Sequence, residues 1–138
     1  MNQGGPWVGK SVMIVDDSYL VREELKESFA DIGMNVVACA ENGMEALRLF
    51  DLHKPDLVTF DIIMPEMHGI ECFRILTEKD PQLKFVFITC LAKDQHALDA
   101  YSQEIPSSHI LPKPVSRERL TEALDVVFTR AAPLPVGA

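Results

Sequence analysis

Five residues spread along the chain carry groups that could act together: the pair Asp16-Asp17, then Asp61, Thr89 and Lys113. Three carboxylates, one hydroxyl and one ammonium are what a hard divalent cation and a phosphate need beside each other. Magnesium prefers oxygen ligands in an octahedron and is commonly held by one or two carboxylates plus a phosphate oxygen. A carboxylate can also attack a phosphoryl group and carry it as an acyl phosphate, while cations neutralise charge on the transferring oxygens. Each residue also has a plainer reading. Asp16 and Asp17 could be helix caps, Thr89 a strand-end hydroxyl, and Lys113 a solvated charge between two prolines. What weighs against the plain readings is assembly, because three crowded carboxylates repel unless a cation sits among them.

The elements that would bring them together are legible from periodicity. Val12-Met13-Ile14-Val15 is a short apolar run that stops at Asp16-Asp17-Ser18, a strand end followed by an N-cap. Val21, Leu25, Ser28, Phe29 and Ile32 then recur at helical spacing, and Gly33 stands where a left-handed cap is wanted. A second strand at Val36-Val37-Ala38 leads to a helix from Met44 to Leu52, and Leu57 to Phe60 forms a third strand that stops on Asp61. Gly69 opens a helix with Ile70, Phe73 and Leu76 on one face, ended by Asp80-Pro81. Phe85 to Ile88 is a fourth strand ending at Thr89, and Lys93 to about Gln103 reads as a weaker helix with Ala97, Leu98 and Tyr101 inward. His109-Ile110-Leu111 makes a fifth strand, and Ser116 caps a helix carrying Leu120, Leu124, Val127 and Phe128.

Strict alternation of apolar strands with helices predicts an α/β fold: a five-stranded parallel sheet, doubly wound, with helices on both faces. In such sheets ligands bind outside the carboxyl ends of the strands, which is where all five residues fall. Met13, Met34 and Phe73 are assigned to the core, and His53, His68, His96 and His109 to surface or loop positions.

With 138 residues the chain fits one domain. We read residues 1–9 as a flexible segment opening with MNQGGPW, 10–130 as the folded domain, and 131–138 as a tail or the start of a linker. A balance of 13 Lys and Arg against 21 Asp and Glu gives a net charge of −8, which repels phosphate backbones and argues against direct nucleic-acid binding. Three isolated cysteines give no disulfide framework. No signal segment is present and no apolar run approaches the ~18 residues of a membrane span, so a cytoplasmic location is expected.

Taken jointly, Asp16-Asp17, the segment DIIMPEMHG beginning at Asp61, Thr89, and Lys113-Pro114 resemble the response-regulator receiver domains of bacterial two-component systems, those of chemotaxis among them. The match spans Val12 to Phe128. The resemblance implies the flavodoxin-like strand order 2-1-3-4-5, Asp61 as phosphoacceptor, and magnesium bound by Asp17, Asp61 and the backbone oxygen of Ile63, with Asp16 acting mainly through water. It also implies Thr89 and Lys113 as the pair that senses phosphate, a cis bond between Lys113 and Pro114, and phosphoryl transfer from a histidine kinase or histidine phosphotransfer protein. Such a protein is a signalling switch with an unknown downstream protein target, not an enzyme.

Two other readings compete. An aspartate-nucleophile phosphatase would carry a second acid two residues past the nucleophile, and Ile63 stands there. An inert receiver-like module would have lost site residues, and none is lost. After the last helix about ten residues remain, so the expectation is either a stand-alone receiver or one cut from a longer response regulator or hybrid kinase. Two positions depart from the family. Ile110 stands where an aromatic switch residue is usual, and Gln103 to Ser108 makes the connection before the fifth strand about two residues longer.

Overall fold

In the computed structural model the described residues are 4–64, 67–101 and 103–129. The elements alternate as β1 (Ser11–Val15), α1 (Tyr19–Asp31), β2 (Asn35–Ala40), α2 (Gly43–His53), β3 (Leu57–Phe60), α3 (Gly69–Lys79), β4 (Lys84–Thr89), α4 (Gln95–Asp99), β5 (Ile110–Pro112) and α5 (Arg117–Thr129). All strand pairs are parallel, in the order β2-β1-β3-β4-β5. The doubly wound parallel sheet expected from the alternation is present, in the flavodoxin-like order that the resemblance implies.

Side-chain alternation along each strand feeds two cores, one on each face. From β1, Val12 and Ile14 pack with Leu25, Phe29, Leu120 and Leu124 of α1 and α5. Met13 and Val15 face the opposite way, onto Ala46, Phe50, Ile70 and Leu76 of α2 and α3. Both faces of a parallel sheet are thereby buried, which is why its strands read as unbroken apolar runs. Ser18 caps α1 by accepting from Val21 N at 3.2 Å, and Gly33 after its end adopts φ +93. Ser116 caps α5, accepting from Arg119 N at 3.2 Å. Met13, Met34 and Phe73 lie in the cores as expected.

Three expectations need correction. The weak fourth helix is only Gln95–Asp99, preceded by a 3-10 turn at Cys90–Lys93. Thr89 caps that turn and Asp94 caps the helix by accepting from Ala97 N at 3.0 Å. With no fully buried residue in it, so short a helix has little packing to extend it. His109 is not a surface residue or part of a strand. It ends a 3-10 turn, Ser107–His109, and its ring is buried against Phe85 with centroids 4.8 Å apart, so β5 starts one residue later than expected. The other three histidines fit: His53 and His96 are exposed, and His68 is a half-buried loop residue before α3.

The third correction concerns the N-terminal segment. Residues 1–3 and 130–138 lie outside the described residues, but Trp7 is buried in the α1–α5 core and donates Nε1–H to Ile32 O at 2.9 Å. Gly9 N donates to Gly33 O at 2.8 Å, so this stretch is tied to the α1–β2 turn. A large apolar ring with one N–H gains more from burial against that turn than the short segment loses in entropy.

Candidate acidic site at the carboxyl edge

Strand register decides which chain ends meet. Val15 of β1 pairs with Phe60 of β3, so Asp16 and Asp61 leave adjacent strands side by side. The backbone ladder continues one residue past each strand, with Asp16 N donating to Ala40 O at 3.0 Å and Asp61 N to Val15 O at 3.1 Å. Those bonds hold both aspartates at the sheet edge rather than in mobile loops. Thr89 of β4 pairs with Pro112 of β5, and Lys113 follows, its N–H donating to Thr89 O at 3.3 Å. The peptide bond from Lys113 to Pro114 is cis.

Lys113 is two strand spacings from β3, about 10 Å in the sheet direction. Its side chain reaches back across β4 nonetheless. Nζ lies 2.9 Å from Asp61 Oδ2 and 2.7 Å from Asp16 Oδ2. The plain reading of Lys113 as a solvated charge therefore fails. Burial is the largest single influence on this ammonium and works to lower its pKa, but hydrogen bonds and charge from Asp16 and Asp61 outweigh it, and the pKa is raised.

Asp16 is 1% exposed, and its other oxygen, Oδ1, accepts from Ser18 N at 2.9 Å. Asp17 is exposed beside it. Asp16, Asp17 and Asp61 each offer a carboxylate oxygen within 4.8 Å of the others. Such an all-oxygen, anionic donor set suits a hard cation that keeps part of its water, magnesium rather than a thiolate- or imidazole-seeking metal. Thr89 is buried, and its Oγ accepts from Leu91 N at 3.2 Å, capping the 3-10 turn, so the plain reading of this hydroxyl holds at the same time. The side chain of Ile63 is 57% exposed, two residues past Asp61.

Two supporting residues were not foreseen from the sequence. Gly69 packs so tightly under the site that a Cβ there would fall 1.7 Å from Asp61 O, while its N–H donates to Ile62 O at 2.8 Å. The glycine after DIIMPEMH was the available signal, read only as a helix start. Arg22, one turn into α1, donates from Nη1 to Asp16 O at 2.8 Å, a contact with no local signature.

Comparison with known proteins agrees with this geometry. Residues 12–125 match the family model of the response regulator receiver domain. The chemotaxis protein CheY of Listeria monocytogenes is 37% identical over 114 residues, covering 83% of this chain and 94% of that protein. The CheY of Thermotoga maritima is 38% identical over 120 residues, covering 87% of this chain and 98% of that one. Among solved structures, the CheX–CheY–BeF3–Mg complex from Borrelia burgdorferi aligns with a TM-score of 0.77 at 30% identity, over 89% of this chain and 92% of that one. Longer proteins match as well: the positive alginate biosynthesis regulatory protein of Pseudomonas aeruginosa is 40% identical over 116 residues, which are 83% of this chain but 45% of that protein. With its strand order, its acidic edge and these relatives, the chain belongs to the response regulator receiver domain family of two-component signalling systems.

Proposed function

We propose that this receiver domain is a phosphorylation-controlled switch that takes a phosphoryl group onto Asp61 from a partner histidine kinase or histidine phosphotransfer protein. The observation that carries the reading is the position of Lys113 Nζ, in contact with Asp61 and Asp16 together. An ammonium held there is placed to follow charge as it passes from the donor to Asp61.

In the transfer an Asp61 carboxylate oxygen attacks phosphorus in line with the bond to the donor nitrogen. The new O–P bond forms, the P–N bond breaks, and its electron pair returns to the imidazole. Lys113 exchanges a carboxylate contact for one to a phosphoryl oxygen, and the Thr89 hydroxyl donates to another. Asp17, Asp61 and the backbone oxygen of Ile63 are the proposed ligands of magnesium, with Asp16 contributing mainly through water. When bound, the ion supplies a hard positive charge that neutralises the transferring oxygens. Exposed Ile63 offers no proton donor, so the domain assists its own phosphorylation and dephosphorylation but is not a turnover phosphatase. The change is read by a downstream protein through an altered surface. No described helix is long and apolar enough to cross a membrane, and we place the switch in the cytoplasm.

Intact-mass measurement after incubation with acetyl phosphate and magnesium tests this. The protein should gain one phosphoryl group, lose that gain when the metal is chelated, and fail to gain it as Asp61→Asn. A phosphoryl gain on the Asp61→Asn protein would end the assignment. Asp17→Ala should weaken magnesium affinity, and an unchanged affinity would remove Asp17 from the ligand set.

A further inference from the structure

The two acids of the β1–α1 loop are held very differently. Asp16 is fixed at every polar atom: its N–H donates to Ala40 O at 3.0 Å, Oδ1 accepts from Ser18 N at 2.9 Å, and Oδ2 meets Lys113 Nζ at 2.7 Å. Its carbonyl oxygen accepts from Arg22 Nη1 at 2.8 Å. Asp17 is exposed, and its carboxylate forms no hydrogen bond or ion pair among the described residues. Yet one of its oxygens lies within 4.8 Å of oxygens on both Asp16 and Asp61.

Three carboxylates drawn together repel, and the exposed one is the one free to swing out to water. What keeps Asp17 in the cluster is the direction in which its backbone sends it. A peptide unit is planar, so fixing the carbonyl of Asp16 fixes the plane from which the Cα of Asp17 departs. Among the described residues Arg22 is the one group bonded to that peptide. The arginine is itself held in place. It stands one turn into α1, with its N–H donating to Ser18 O at 3.0 Å, and its guanidinium lies over the Tyr19 ring, 5.8 Å from the centroid. On charge alone a guanidinium beside a cation site opposes magnesium, because like charges repel. Its geometric effect has the opposite sign, since a ligand already in place loses less freedom when the ion binds.

We propose that Arg22 is a positioning residue for magnesium: it fixes the Asp16–Asp17 peptide and so holds the Asp17 carboxylate beside Asp16 and Asp61 before the ion arrives. The inference rests on Asp17 being a ligand of magnesium. In this role Arg22 sets the magnesium concentration at which Asp61 is phosphorylated, and not the rate once the site is full.

Calorimetric titration of the whole chain with magnesium, in the absence of a phosphodonor, tests this on Arg22→Met. Loss of the clamp should weaken binding about tenfold, the lower end for removing a group that orients a metal ligand. Arg22→Gln, whose amide is too short to reach Asp16 O, should lose as much while keeping a polar tip at this half-buried position. With acetyl phosphate, the rate of mass gain should reach half its maximum at a correspondingly higher magnesium concentration and still approach the parent's maximum. A general loosening of the fold would lower that maximum as well, and a weaker affinity with an equal fall in maximum rate would overturn the proposal. Unchanged or tighter binding in both variants would also overturn it, tighter binding being what relief of charge repulsion gives by itself. A parent protein that binds no magnesium, or an Asp17→Ala protein that binds it as well as the parent, would instead overturn the metal assignment, and the role of Arg22 with it.

Discussion

The backbone of Gly69 rests against the carbonyl of Asp61, so closely that a methyl group on Gly69 would sit 1.7 Å from that oxygen. The glycine is required by this close approach and not by its own dihedral angles, since only Gly9 and Gly33 have positive φ among the described glycines. Gly69→Ala must push α3 away from the end of β3. We expect a loss of about 1–3 kcal/mol, the usual range for overpacking a filled site, together with slower phosphorylation. Urea unfolding and the rate of mass gain with acetyl phosphate measure the two effects. Unchanged values for both would show that the contact relaxes freely.

Lys113 is the cation paired with two buried carboxylates. Lys113→Met keeps the apolar stem and leaves Asp16 and Asp61 facing each other without it. The expected loss is about 3 kcal/mol in metal-free buffer, the lower end for breaking a buried pair. Added magnesium should restore part of it, because a cation bound only by the native state stabilises that state. Thermal melts of parent and variant with chelator and with magnesium decide this; equal stability in chelator would contradict the bridging role.

Ile63 bears on how long an acyl phosphate would last. Its side chain is exposed beside Asp61, whereas Leu91 packs against the core, so only the first can be exchanged without disturbing the fold. Hydrolysis needs a water in line with the bond to Asp61, and an apolar side chain cannot orient one. Ile63→Asn should therefore hasten decay, about tenfold if orientation is worth about 1.4 kcal/mol. Decay of the phosphorylated mass at the same rate in both proteins would show that the lifetime is set elsewhere.

Trp7 is the one tryptophan, and it sits at the amino edge of the sheet, held to Ile32 O. Roughly 16 Å of β1 separates that edge from Asp16, at about 3.3 Å per residue. Its emission should stay constant on addition of magnesium or acetyl phosphate and change on unfolding, which makes it a reporter of stability only. Trp7→Ala should cost about 3 kcal/mol, as for a large ring removed from a core. A strong quench by magnesium alone would contradict this placement.

By itself the sequence determined where the strands stop and therefore which residues stand at the carboxyl edge. Continuous apolar runs end on Asp16, Asp61 and Thr89 because a buried strand cannot continue through a carboxylate or a turn signal, and that information is local. The same locality fixed the Ser18 and Ser116 caps and the alternation that makes the sheet parallel. Tertiary structure alone decided that Lys113 reaches back over β4 to two acids, that Gly69 underlies Asp61, and that Arg74 finds Glu104. The Arg74–Glu104 and Lys113–Asp16 contacts join residues 30 or so to nearly a hundred positions apart, Gly69 meets Asp61 across only eight, and no periodicity encodes any of them. Trp7, read as part of a flexible segment, and His109, read as a surface or loop residue, were misplaced for the same reason: each is buried because another element, the α1–β2 turn or Phe85, supplies a partner for its ring.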